Sequence, residues 1–270
     1  PPRSTLFPYT TLFRSQSIVN KSTWTNYEIV VVENNSKEQS IFDYYKELEA
    51  LPQVQVVTYE GEFNYSRINN FGVSKTRGEY LLLLNNDTEV ITPDWMEQLL
   101  MYAQRKDVGA AGAKLYYGDD TIQHAGVVIG LGAHRSAGHT HYKMPRQHLG
   151  YMGRLCYAQD VTAVTGACLM VSRAAYDQVG GLDESFTISL NDVDFCLKLR
   201  EAGYLNIFTP YAELYHYESK TRGMEEGEKL RRYERECAHF REKWKAQLDA
   251  GDPYYNPNFS LDYSDFTLRF

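Results

Sequence analysis

Glu79-Tyr80-Leu81-Leu82-Leu83-Leu84-Asn85-Asn86-Asp87 sets an unbroken apolar run against an abrupt polar end. A strand apolar at consecutive rather than alternate positions needs cover on both faces, as strands inside an α/β sheet have. Asn85 therefore begins the loop at the carboxyl edge of a central strand. Upstream of this stretch, Arg77-Gly78 closes a helix expected over 69–75. Downstream, Thr92-Pro93 caps and starts another, with Trp95, Leu99 and Leu100 facing inward. Farther upstream, Glu28 to Val32 is a β-branched run closed by Glu33-Asn34-Asn35-Ser36. A helix with Ile41, Tyr44, Tyr45 and Leu48 on one side follows, and Val54 to Tyr59 completes a strand–helix–strand unit. The alternation predicts an α/β fold with a mostly parallel, doubly wound sheet and helices on both faces.

After residue 108 the order loosens, with strand-like runs at Val108 to Leu115, Gly126 to Leu131 and Val161 to Val171. Between them, Gly132 to Arg154 lacks periodicity and reads as a long surface loop. Ser172 caps a short helix, and a second helix runs from about Asn191 to Ala202 before Gly203. Leu230, Tyr233, Cys237, Phe240, Trp244 and Leu248 then recur every three or four residues, the pattern of a C-terminal amphipathic helix.

Composition removes several classes of function. The formal charge of −7 over 270 residues lacks the Lys/Arg excess of a nucleic-acid binder. Cys156, Cys168, Cys196 and Cys237 are scattered, so neither a zinc knuckle nor a disulfide framework is indicated, and a reducing, cytoplasmic setting is expected. No apolar run approaches the roughly 18 residues of a bilayer span. Residues 1–15 carry a near-repeat, Thr5-Leu6-Phe7 and Thr11-Leu12-Phe13, and are expected to be a non-native or disordered arm. Residues 16–250 then form the main domain, and 251–270 an extension or the start of a linker toward a further module.

In an open α/β sheet, ligands settle at the carboxyl ends of strands. Glu33-Asn34-Asn35-Ser36 and Asn85-Asn86-Asp87 stand at two such ends and can face one crevice. Asp87 offers hard oxygen to Mg²⁺ or Mn²⁺, while Asn85 and Asn86 offer neutral oxygens and amide donors for ribose or phosphate. The alternative is a loop that is polar only because it follows a buried strand. A second acidic group, Leu182-Asp183-Glu184 and then Asn191-Asp192-Val193-Asp194, lies at the start of a helix. The dipole there favours the negative charge that a base must carry, although Asp192 or Asp194 can equally serve as a plain helix cap. His216 follows a strand-like segment and can bring its imidazole to the same metal or diphosphate. His134, His139 and His141 share a loop without cysteines, which favours an acceptor-binding loop over a zinc site.

Taken in order, Glu33-Asn34-Asn35-Ser36, Asn70-Phe71-Gly72, Arg77-Gly78-Glu79-Tyr80, Asn85-Asn86-Asp87, Thr165-Gly166-Ala167-Cys168, Gly181-Leu182-Asp183-Glu184 and Asn191-Asp192-Val193-Asp194 resemble the family 2 glycosyltransferases. The resemblance runs from about Asn26 to Trp244. Asp120-Thr121-Ile122-Gln123-His124-Ala125-Gly126 and Tyr215-His216-Tyr217-Glu218-Ser219 bring it nearest to bacterial members that build O-antigen and other surface polysaccharides.

The resemblance implies a GT-A fold, a nucleotide-diphosphate sugar donor, a glycan or lipid-linked acceptor and inversion at the anomeric carbon. It places Asp87 at the metal-binding end of the D-x-D motif, with His216 near the diphosphate or metal. Asp192 matches the catalytic base. Glu33, Asn34, Asn70, Asn85 and Asn86 fall on the donor side, and Thr165, Gly166, Asp183, Glu184 and Asn191 on the acceptor side. It departs from the family where Asn85, Asn191 and Asn34 replace acidic residues, so metal binding is expected to lean more on the diphosphate. The family's opening strand, due before Gln16, is also absent. Competing expectations are a nucleotide-sugar or glycan-binding domain without turnover, and a sugar nucleotidyltransferase, which would not need Asp192. Peripheral work at the inner face of a membrane stays open, since a lipid-linked acceptor needs no spanning segment.

Overall fold

A computed structural model describes residues 17–217 and 227–269. The arm expected at 1–15 and the Glu218-Ser219 part of one motif lie outside the described residues. The chain opens with β1 (Ile29–Glu33), α1 (Gln39–Glu49), β2 (Val54–Thr58), α2 (Tyr65–Ser74) and β3 (Tyr80–Leu84). Next come β4 (Thr88–Val90), α3 (Trp95–Ala103), β5 (Val108–Tyr116), β6 (Ile122–His124), β7 (Val127–Ile129) and β8 (Ala137–His139). The remainder is β9 (Gln159–Val161), β10 (Cys168–Ser172), α4 (Arg173–Gln178), α5 (Asn191–Glu201), β11 (Leu205–His216), α6 (Glu228–Lys243) and α7 (Lys245–Ala250).

The α/β class holds, and the main sheet runs β3-β10-β5-β11-β4, with β6 on β5 and β9 on β11. Its strands are mixed in direction, which corrects the expectation of a mostly parallel sheet. Among the described residues only β5 and β11 pair in parallel there, and β10 lies antiparallel between β3 and β5. A strand's residue pattern reports burial, and burial is indifferent to direction. β1 and β2 form their own parallel pair.

All nine residues of β5 are buried, so it is the centre of the sheet. Side chains alternate between two cores: Leu169 and Val171 of β10 join one, and Cys168 and Met170 join the other. Leu169 and Leu214 are fully buried, each removal from water stabilising by roughly 1.5–3 kcal/mol. The fully buried Trp95 and Leu99 of α3 cover one face. On the other, Phe195, Leu197 and Leu199 of α5 meet Phe240 and Trp244, the C-terminal stripe read from the sequence.

Three boundaries shift for local reasons. The helix expected over 69–75 starts at Tyr65, because the Asn64 side chain caps it by accepting from Arg67 N at 3.0 Å. Val161 to Val171 is two strands joined by a turn that carries Thr165 and Gly166. Within 132–154, β8 pairs with β7 and buries Thr140 and His141, so part of that expected surface loop is interior. Residues 252–268 fold against this region through Tyr255 and Phe266, which join Val128 and Leu131 in one apolar cluster.

Gly112 marks the tightest contact beside β5, since a Cβ there would fall 2.4 Å from Val164 Cβ. Gly112→Ala is expected to destabilise by about 1–3 kcal/mol through overpacking. Urea unfolding should show a lower midpoint at unchanged slope. An unchanged midpoint would mean that Val164 gives way freely.

Candidate active site

β4 brings the first two groups together. It pairs antiparallel with the end of β11, setting His216 opposite Thr88, and Tyr217 N donates to Asp87 O at 3.0 Å. His216 Nε2 then lies 3.0 Å from Asp87 Oδ1, with both side chains slightly exposed. The Asn85 amide nitrogen is 3.1 Å from the same Nε2. Asn86 is exposed and makes no side-chain hydrogen bond among the described residues. A cleft of about 1580 Å³ walled by β1 and β3 reaches Asn85, Asn86, Asp87 and His216.

Asp192 sits in the first turn of α5, where the helix dipole favours negative charge. Its Oδ2 accepts from Gly166 N and its Oδ1 from Val193 N, both at 2.8 Å, which leaves each oxygen a further lone pair. Gly166 has no room for a side chain: a Cβ would meet Tyr65 Oη at 2.9 Å and Asp192 Cβ at 3.4 Å. Close packing against Tyr65 and Asp192 is what requires glycine at this position. Thr165 stands beside it, its N–H 3.4 Å from His124 Nε2.

Tyr65 joins the two halves, donating to Gly166 O at 2.9 Å and approaching Asn85 Oδ1 at 3.4 Å. A continuous line of contacts therefore runs Asp192–Gly166–Tyr65–Asn85–His216–Asp87. No sequence signal marks Tyr65, a tyrosine one residue past a cap. Glu236 is a second residue missed. From α6 its carboxylate accepts from Thr187 N at 2.8 Å, Ile188 N at 3.1 Å and Ser189 N at 3.0 Å, and also from Thr187 Oγ1. It holds the turn that enters α5, where Leu190 takes a left-handed φ of 62° at a typical cost of about 1–3 kcal/mol.

Several expected ligand-binding residues are committed elsewhere. Asn70, expected on the donor side, spends its amide on Leu182 O and N (both 3.0 Å), Tyr176 Oη (2.6 Å) and Glu184 (3.2 Å). Asp183 and Glu184, expected at the acceptor, pair with Lys243 and Arg67. Burial opposes the charge on Asp183, but Lys243 and Ser185 prevail and hold it below the usual carboxylate range. These contacts fasten α2 and α6 to the 181–184 turn. Asn191 is buried with its amide on Ile188 O at 2.9 Å. Glu33 accepts from Ser36 N at 2.7 Å, and Asn34 donates to Tyr59 O and Gly61 O at 3.0 Å, so both shape the loop beyond β1.

The loop histidines are dispersed. His139 pairs with buried His124 (Nδ1···Nδ1 2.8 Å), His134 packs edge-on against Tyr233, and His141 accepts from Tyr151 N. Burial, then neighbouring positive charge, pulls His141 down to about 3. Among the described residues no group of three His, Cys, Asp or Glu is placed to hold a metal. Asp87 and His216 nevertheless offer one hard oxygen and one imidazole nitrogen at the mouth of a cleft. That suits a Mg²⁺ or Mn²⁺ ion whose remaining ligands are substrate phosphates and water.

Known proteins share sequence and fold with this chain. An uncharacterized protein of Sinorhizobium fredii, y4gI, is 47% identical over 94% of this chain and 28% of its own length. The O-antigen biosynthesis protein RfbC of Myxococcus xanthus is 34% identical over 94% of this chain and 19% of its own. The chain thus spans less than a third of either relative. The solved structure of GalNAc-T7 with UDP, GalNAc and Mn²⁺ shares the fold, with a TM-score of 0.66 at 16% identity over 89% of this chain and 47% of that one. Residues 13–180 match the profile of Glycosyl transferase family 2, a span that carries Asp87 and Gly166 and stops short of Asp192 and His216. The chain belongs to glycosyl transferase family 2.

Proposed function

We propose that this chain transfers a sugar, with inversion, from a nucleotide-diphosphate donor to a hydroxyl of a glycan or lipid-linked acceptor. The observation that carries the reading is the line of contacts from Asp192 to Asp87, which sets a candidate base and a candidate diphosphate site on one continuous support. Asp192 accepts the proton of the attacking hydroxyl as its oxygen bonds to the anomeric carbon. The bond from that carbon to the diphosphate oxygen breaks on the opposite face, and nucleoside diphosphate leaves. Asp87 and His216 would hold Mg²⁺ or Mn²⁺, which when bound offsets the charge growing on the departing diphosphate. Asn85 and Asn86 supply neutral polar groups for the donor.

RfbC's part in O-antigen biosynthesis supports a glycan acceptor, and the UDP, GalNAc and Mn²⁺ in the GalNAc-T7 structure support the donor and the ion. No helix among the described residues is long and apolar enough to cross a membrane. We place the reaction in the cytoplasm, including at the membrane's inner face for a lipid-linked acceptor.

The test is a panel of nucleotide sugars with Mn²⁺ and an acceptor glycan. Acceptor-dependent release of nucleoside diphosphate is expected. Donor binding without release would make the chain a binding domain, and pyrophosphate formed from a nucleoside triphosphate and a sugar phosphate would make it a nucleotidyltransferase.

A further inference from the structure

Gln123 is the extra residue of a β-bulge. β5 and β6 pair Leu115 with His124 and Tyr116 with Ile122, so Gln123 has no opposite number on β5. Bulges beside functional sites re-aim side chains. This one brings the buried Gln123 amide onto the equally buried His216. Its Oε1 lies 2.7 Å from His216 Nδ1, and its Nε2 is 3.4 Å from His216 O. A backbone carbonyl only accepts, so the end of the amide facing it is the NH₂ end, and Oε1 faces the ring. Oε1 also only accepts, and the hydrogen between them therefore belongs to Nδ1. In a neutral imidazole that leaves the lone pair on Nε2, where it accepts from the Asn85 amide nitrogen 3.1 Å away and is opposed by Asp87 Oδ1 at 3.0 Å unless a cation stands between the two.

We propose that Gln123 is a positioning residue that selects the Nδ1–H tautomer of His216 and so readies Nε2 as a ligand for the divalent ion. The inference rests on reading Asp87 and His216 as the metal pair. The other tautomer would direct an N–H at the ion's position. A second partner that fixes the ring is a recurrent feature of metal-binding histidines, and its loss typically weakens the metal by about 10–100-fold.

Two measurements on the full chain test this. In the first, ¹H–¹⁵N spectra of the metal-free, ¹⁵N-histidine-labelled protein at alkaline pH report the His216 tautomer, with the signal assigned by its loss in His216→Ala. Wild type is expected to show Nδ1–H, Gln123→Leu a shift toward Nε2–H, and Gln123→Glu, which keeps an acceptor, a return to Nδ1–H. In the second, Mn²⁺ binding is followed by electron paramagnetic resonance of the free ion. Gln123→Leu should bind about 10–100-fold more weakly, and Gln123→Glu should recover most of the loss. Nε2–H in the wild type would overturn the proposal. So would a Gln123→Leu protein with wild-type tautomer and affinity. If His216→Ala loses Mn²⁺ while Gln123→Leu does not, the metal pair stands and the role of Gln123 falls. If His216→Ala binds Mn²⁺ as tightly as wild type, the metal pair itself falls.

Discussion

Asp192→Asn is expected to lower acceptor-dependent turnover by about 10²–10⁴-fold, the usual weight of a positioned general base. The substitution keeps the size of the side chain and removes its ability to take a proton. One amide end must then face either Gly166 N–H or Val193 N–H, each of which donates to a carboxylate oxygen at 2.8 Å in the wild type. Some local loosening should accompany the loss, so donor affinity is to be measured alongside by calorimetry. Turnover that collapses while donor affinity holds assigns Asp192 to the chemical step. Unchanged turnover places the base elsewhere and leaves Asp192 a helix-start residue, like its neighbour Asp194.

Lys243→Met is expected to cost about 3–5 kcal/mol, the common penalty for leaving a buried charge without its partner. Asp194 is fully buried, and its Oδ1 is reached by Lys243 Nζ at 2.6 Å and Trp244 Nε1 at 2.8 Å. Its Oδ2 has no hydrogen-bond partner among the described residues. Lys243 therefore neutralises Asp194 and, through Asp183, ties α6 to the turn before α5. Scanning calorimetry should show the melting temperature falling by roughly 10 °C for a chain of this size. Adding Asp194→Asn to Lys243→Met should restore most of it, because a neutral amide costs far less to bury than an unpaired carboxylate. An unshifted melting temperature in the single variant would mean that Asp194 carries no charge to compensate.

The contrast between Asp194 and Asp192 shows where the sequence was readable. Both are acidic residues in the first turn of one helix, and only the packing partners separate them. Asp194 meets Lys243 and Trp244, whereas Asp192 meets backbone amides at a glycine turn. Those partners come from segments far along the chain, which no local pattern reports. β3 was legible as a strand from its run of four leucines, but it lies at one end of the main sheet rather than at its centre, with Leu82 and Leu84 only part-buried. The C-terminal stripe was legible because Cys237, Phe240 and Trp244 repeat at helical spacing. Glu236 escaped notice in the same helix, since a glutamate on an amphipathic helix ordinarily faces water. Asn70 was visible as part of a motif, yet its amide is consumed by the turn at 182–184, a contact set by folding. The direction of β10 was equally hidden, and with it the mixed order of the sheet. Gln123 stood within a recognisable stretch, but its bulge appears only once β5 and β6 are paired.

The proposed role of Asp192 as general base implies a single displacement at the anomeric carbon, without a covalent sugar intermediate. The most direct measurement is the anomeric configuration of the first-formed product, read from proton coupling constants in a reaction with a donor of known anomer. The account predicts inversion of the donor's configuration, abolished together with nucleoside diphosphate release in Asp192→Asn. Retention of the donor's configuration would contradict it.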